Sequence, residues 1–233
     1  MKSFPPFEGF SKKTFDFFRD LKLNNNREWF NANKSIYTDY VISPAQSFIV
    51  DIGEKLSKNL VDIRYDTKTT GSGSIMRIYK DIRFSKDKTP YRTRMGIIFW
   101  EGPGKKMMHS GFHLGFDDKM LVVHGGMHSF SKEMLTKYRD AVVAEKTGKE
   151  LEKIVNKLKA AGYSIGGPHY KRVPRGYDPE HERANFLLHN ALYAGYSKIP
   201  RNVLRSSELI DHCLKHFNAM LPLHNWLVER DRS

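Results

Sequence analysis

A single cysteine, Cys213, occurs in the 233 residues of the chain. That scarcity excludes an intramolecular disulfide framework and any cysteine-rich zinc module. Long hydrophobic runs are missing too, so the sequence offers no transmembrane helix. The opening stretch MKSFPPFEGF puts prolines and an acid where a secretory signal needs an apolar run. These absences lead to the expectation of a soluble, cytoplasmic protein that engages no membrane and works in a reducing compartment. Internal repeats and low-complexity tracts are absent. So are the G-x-S-x-G and H-E-x-x-H signatures. The segment Gly102-Pro103-Gly104-Lys105-Lys106 is not a P-loop, because it lacks the six-residue frame and the Ser/Thr after lysine. The motifs therefore name no cofactor and no reaction, and no pattern fixes an oligomeric state.

What is present describes a globular protein. Hydrophobic residues make up 39% and aromatics 12% of the chain, enough for a full core in one domain spanning residues 1–233. Basic groups outnumber acidic ones 39 to 26, giving a net charge of +13. The excess is uneven. Residues 71–94 carry +5 and residues 168–205 carry +4, so 62 residues hold +9 of the total, while 206–233 carry −1. Basic surface attracts phosphate, nucleic acid or carboxylates, and its concentration points to a local anionic partner.

Periodicity predicts helices at both ends and strands between them. Residues 1–60 read as helical. Ser11 caps a helix carrying Phe15, Phe18 and Leu21 or Leu23 on one side. Asn25 with Glu28 resembles a capping box for the next, and Ser43-Pro44 marks a further start. Residues 74–128 read as sheet-rich. From Met76 to Phe84, alternation predicts a strand with Ile78, Ile82 and Phe84 facing the core and Arg77, Tyr79, Asp81 and Arg83 facing outward. A second strand is expected over 91–100, and a hairpin over 109–127 around Asp117-Asp118-Lys119. Helices follow over 131–161, with Ser131 as one cap and Thr147 with Glu150 as a capping box. Tyr163 to Ile165 reads as a short strand, a basic irregular loop occupies 166–181, and a long helix spans 201–228. The expected class is α+β, with a central antiparallel or mixed sheet against which the N-terminal helices and the C-terminal helix pack.

Two stretches carry the candidate chemistry. In residues 77–92, Arg77, Arg83, Lys86, Lys88 and Arg92 supply donors suited to a phosphate or carboxylate, with Tyr91 among them. Asp81 and Asp87 either orient those cations or act as general bases. In residues 171–181, two prolines and a glycine set a defined loop bearing Arg172, Arg175, Tyr177, Asp178 and His181. Asp178 and His181 complete the proton-transfer candidates.

The same motifs resemble a bacterial and fungal family, domain-of-unknown-function family 2461. The matching pieces are Phe18 with Leu21, then Asn25-Asn26-Arg27-Glu28-Trp29-Phe30, Lys34, Tyr37 and Pro44. They continue through Arg77 and Asp81 to Arg92, and end with Pro174-Arg175-Gly176-Tyr177-Asp178-Pro179-Glu180-His181. The resemblance implies that these motifs matter, and implies no settled activity, substrate or cofactor.

Three readings stand side by side. The first is a basic pocket for an anionic small molecule, walled by the two stretches; a cationic cradle of that kind would suit phosphoester or acyl hydrolysis. The second is a nucleic-acid-binding module using the cations with Phe84, Tyr91, Phe99 and Trp100 as stacking groups. The third is a scaffold in which Arg77, Asp81, Arg83 and Asp87 form a buried ion-pair network. A two-residue hairpin turn would put His109, His113, His124 and His128 on one face, but no carboxylate accompanies them, and no metal site is assigned. Cys213, near His212 and His216, reads as a buried structural thiol.

Overall fold

The computed structural model describes residues 4–232; residues 1–3 of the opening stretch and Ser233 lie outside the described residues. The fold is α+β. Helices α1 (Lys12–Leu23), α2 (Arg27–Ala32), α3 (Lys34–Tyr37) and α4 (Ser43–Ser57) come first. Strands β1 (Ile63–Arg64), β2 (Met95–Glu101), β3 (Gly111–Phe116) and β4 (Leu121–Met127) follow. Then come α5 (Lys132–Val143), α6 (Glu145–Ala160), β5 (Ser164–Pro168), α7 (Ala184–Leu187), β6 (His189–Tyr196) and the long α8 (Glu208–Arg232). The strands form one antiparallel sheet in the order β1-β2-β3-β4-β6-β5. No helix among the described residues is long and apolar enough to cross a membrane.

The chain divides into two compact units. One runs to Phe99 and takes in His113–Val122 and Ser197–Lys215; the other holds Trp100–Phe112, Val123–Tyr196 and the residues from His216 onward. In the first unit, α1 buries Thr14, Phe17, Phe18 and Leu21, a stripe at helical spacing, while Leu23 stays 79% exposed. Phe10 and Phe18 meet Phe116 of β3 with ring centroids 4.5 and 6.3 Å apart. Burying each such ring contributes about 1.5–3 kcal/mol. In the second unit, Phe112 packs on Phe217 of α8 at 4.9 Å, and Tyr138 of α5 meets Trp226 of α8 edge-on at 6.0 Å.

Local chemistry explains the element ends. The Ser131 hydroxyl accepts from the Met134 N–H at 3.0 Å and caps α5 as expected. After α6, Gly162 has φ +86°, and the Tyr163 N–H returns to Leu158 O at 3.0 Å, closing the helix through a left-handed residue.

Several expectations are corrected. Asn26, not Asn25, caps α2, its side chain accepting from Trp29 N–H at 2.9 Å. Ser43 lies in helical conformation, because a π-helical turn over Thr38–Ile42 runs straight into α4. Thr147 lies inside α6, which starts at Glu145, and its hydroxyl donates to Ala141 O at 2.6 Å. The stretch 76–84 is no strand; it makes one isolated bridge, at Tyr79, and Phe84 is 95% exposed rather than buried. Gly166-Gly167-Pro168 belongs to strand β5, which pairs with β6 through an irregularity between Gly166 and Pro168.

Candidate functional site

Residues 75–92 double back within the first unit. Ile75 bridges Ile97 and Tyr79 bridges Tyr91. The Lys80 N–H donates to Pro90 O at 2.8 Å, and the Arg92 N–H to Ile78 O at 2.7 Å. Between these anchors the ladder fails, because two aspartates take backbone donors for themselves. Asp81 Oδ1 accepts from the Arg83 N–H at 3.3 Å, and Asp87 Oδ1 from the Thr89 N–H at 2.9 Å. The base of the loop is held by Asn25. Its Nδ2 donates to Tyr91 O at 2.9 Å and its Oδ1 accepts from the Tyr91 N–H at 3.0 Å. The Tyr91 ring stacks on Phe30 at 4.2 Å and 18°.

Side chains of the loop pair locally and stay in solvent. Arg83 grips Asp81 in a fork, Nε to Oδ1 at 3.0 Å and Nη2 to Oδ2 at 2.7 Å, with side chains 76% and 51% exposed. The fork holds the Asp81 carboxyl down at about 2. Lys80 Nζ donates to Asp87 Oδ2 at 2.8 Å and to Thr89 Oγ1 at 2.6 Å, and this lysine keeps the Asp87 carboxyl well below the usual carboxylate range. Lys88 Nζ donates to Ile82 O at 3.1 Å. Arg77, Lys86 and Arg92 make no side-chain hydrogen bond to other described residues. The Arg83 guanidinium carbon lies 5.9 Å from the centroid of the exposed Phe84 ring. Of the four aromatics expected to stack, only Phe84 faces water; Tyr91, Phe99 and Trp100 are core residues. The exposure of Arg83 and Asp81 also means that no inaccessible network forms there.

The second stretch lies in the other unit. Tyr177 O–H donates to Asp140 Oδ1 at 2.7 Å, and burial together with that carboxylate pushes the phenol up to about 12. Asp178 Oδ1 accepts from the Glu180 N–H at 2.9 Å, and His181 Nδ1 accepts from the Arg183 N–H at 3.0 Å. Asp178 and His181 thus shape the turn into α7. Arg172 and Arg175 are exposed and make no side-chain hydrogen bond to other described residues.

Arg183 is a residue the sequence reading missed. It is 2% exposed, donates from Nε to Val142 O at 2.8 Å and from Nη2 to Val143 O at 3.4 Å, and also holds Glu182. It neutralises the carbonyl end of α5. Gly148 makes room for it: a Cβ there would lie 2.4 Å from Arg183 Nε and 2.2 Å from Val142 O.

Equally unforeseen is a buried polar chain in the second unit. Ser110 Oγ meets His224 Nδ1 at 2.9 Å, His224 Nε2 meets Glu101 Oε2 at 2.8 Å, and Arg232 Nη2 donates to Glu101 Oε1 at 2.8 Å. A carboxylate only accepts, so His224 Nε2 carries a hydrogen and donates to Glu101. The residue types are those of a hydrolytic triad, but Ser110 and His224 are both 0% exposed, so no substrate reaches the hydroxyl. The histidines suggested by the hairpin have other engagements. His109 Nδ1 pairs with Asp231 Oδ2 at 2.7 Å, and His124 and His128 contact Tyr193 at 5.3 and 4.3 Å between rings. No three His, Cys, Asp or Glu side chains gather as a metal site among the described residues. Cys213 is a buried free thiol, its pKa raised by burial.

Two cavities of the first unit avoid the basic loop. One, about 770 Å³, runs between α4 and the 65–70 segment, with Gln46, Glu54 and Thr67 among its lining residues. The other, about 300 Å³, lies between Pro5–Gly9 and Asp39–Ser47.

The chain is an α+β protein with an antiparallel sheet, a doubled-back basic loop clamped by an asparagine, and a Pro-Arg-Gly-Tyr-Asp-Pro turn. The sequence profile described as conserved hypothetical protein (DUF2461) matches residues 13–226, and the chain belongs to that family. No curated protein and no solved structure matches it.

Proposed function

We propose that the first unit binds single-stranded nucleic acid along residues 77–92. The observation that carries this reading is Phe84, 95% exposed at the turn of the loop and flanked by Arg83, Lys86 and Lys88. An apolar ring in water beside cations is suited to stacking on a base while the cations follow the phosphates. Arg77 and Arg92 extend the positive track, and Asp81 and Asp87 fix the directions of Arg83 and Lys80. A small anionic molecule is the competing ligand; the solvent-exposed setting of these cations favours a polymer over it, since small ligands are gripped in recesses. The reading includes no catalytic step, because carboxyls held this low are poor bases near neutral pH. It takes the cytoplasm as the working compartment, in keeping with the free thiol of Cys213.

The test is fluorescence anisotropy with a labelled oligothymidylate of about 12 nucleotides. The wild-type chain should bind, and Phe84→Ala should weaken binding about 5- to 150-fold, the worth of one stacked base. Absence of binding, unchanged affinity in Phe84→Ala, or displacement by millimolar inorganic phosphate at constant ionic strength would refute the reading.

A further inference from the structure

The second unit contains a recess of about 350 Å³ that the basic loop does not explain. One wall is α6, where Glu152, Asn156 and Lys159 share a face at helical spacing. The other comes from the turn into α7, with Glu182, Asn185 and Phe186. Arg183, His189 and Ile165 also line it.

His189 sets the character of the recess. It is 8% exposed. Its Nδ1 lies 3.3 Å from Phe186 O, a carbonyl that also accepts from Tyr138 O–H at 3.0 Å. A carbonyl cannot donate, so Nδ1 carries the hydrogen and Nε2 offers a lone pair. Burial pushes this imidazole down to about 4, leaving it neutral at physiological pH. Nε2 makes no hydrogen bond to another described residue. Gly167, at φ +117°, keeps the ring's flank open, since a Cβ there would lie 3.2 Å from His189 Cδ2.

The charges around the recess cancel. Glu152 and Glu182 oppose Lys159 and Arg183, and Arg183 is already committed to Val142, Val143 and Glu182. Asn156, Asn185 and Glu152 make no side-chain hydrogen bond to other described residues. The ligand face therefore offers two amides, the Glu152 carboxylate balanced by the Lys159 ammonium, one neutral acceptor nitrogen and an aromatic ring. Vicinal hydroxyls both donate and accept, matching amides and a carboxylate, and the C–H face of a ring packs on a phenyl group. Anions would meet two carboxylates against one lysine, Lys159, and an arginine already committed to Val142, Val143 and Glu182. The volume lies near the lower end of small-molecule pockets, about 300–1,000 Å³, room for one sugar ring.

We propose that this recess binds a neutral polyol of monosaccharide size, held by Asn156, Asn185, Glu152 and His189 against Phe186. The site is separate from the nucleic-acid reading, lies in the other unit, and stands or falls independently of it.

Saturation-transfer NMR on the full chain tests it with four probes: D-glucose, D-galactose, D-ribose and myo-inositol. At least one should give a saturable signal. Asn156→Leu and Asn185→Leu change exposed side chains, so both should keep the wild-type melting temperature while weakening that signal at least tenfold. Glucose 6-phosphate should bind no more tightly than glucose. The proposal is overturned if none of the four binds, if either variant retains full binding, or if the phosphorylated sugar binds more tightly.

Discussion

Asn25→Ala removes the clamp at the base of the basic loop. Its amide makes two hydrogen bonds to one residue, Nδ2 to Tyr91 O at 2.9 Å and Oδ1 from Tyr91 N–H at 3.0 Å, in a part-buried setting. Tyr91 is 2% exposed, so truncation leaves a donor and an acceptor with poor access to water. Leaving a buried polar group unsatisfied costs about 1–3 kcal/mol, and partial solvation of this pair places the total near the lower end, about 2–4 kcal/mol. Asn25→Asp should lie between alanine and wild type: it still accepts from the Tyr91 N–H but sets a carboxylate oxygen against the carbonyl. Urea unfolding gives the stability change, and hydrogen exchange at the Tyr91 amide gives the local one. In Asn25→Ala that amide should exchange much faster than in wild type. A change under about 0.5 kcal/mol with Tyr91 protection intact would refute the clamp.

The Glu101 carboxyl is held below its ordinary value by its hydrogen bond to His224, against the opposing effect of burial, with Arg232 assisting. A lowered folded pKa contributes stability that is present above the ordinary glutamate range and is lost as pH falls through the folded value. Glu101→Gln should therefore cost about 1–3 kcal/mol at neutral pH, and the gap from wild type should shrink in acid, as read by denaturation at stepped pH. A pH-independent gap would contradict this. Gly148→Ala should destabilise by about 1–3 kcal/mol, because its Cβ would press on Val142 O and Arg183. A neutral result in urea unfolding would show that the α5–α6 junction yields.

The helices were legible because their apolar spacing answers to a local rule. Phe18 and Leu21 bury on one face of α1 as expected, with Phe17 rather than Phe15 beside them, and Leu151, Val155 and Leu158 bury in α6. The alternation from Met76 to Phe84 misled for a physical reason. Ile78 does turn inward, but Asp81 and Asp87 bond the backbone two residues on, and Pro90 has no N–H to give, so a ladder cannot extend. Asn24, Asn25 and Asn26 are alike as local signals. What separates Asn25 from the helix cap is Tyr91, 66 residues away, which no short-range pattern contains. The Gly166-Gly167-Pro168 strand was obscured by its composition; at the sheet edge a bulge and a terminal proline are tolerated. The buried chain from Ser110 to Arg232 joins groups more than a hundred residues apart, and Arg183 reaches back some forty residues to Val142; neither leaves a trace in periodicity. The candidate cations were readable as a charge concentration, while their exposure, and the exposure of Phe84, came only with the fold.

The central claim is that residues 77–92 bind a polyanion through phosphate contacts. It is tested most directly by the salt dependence of oligothymidylate binding. Each phosphate contact on a single strand contributes about 0.7 to the slope of log K against log salt. For the double variant Arg77→Ala, Lys86→Ala, whose side chains bond no other described residue, the slope should become shallower by about 1.4 while the fold is unchanged. A slope identical to wild type, or binding that does not respond to salt at all, would contradict the account.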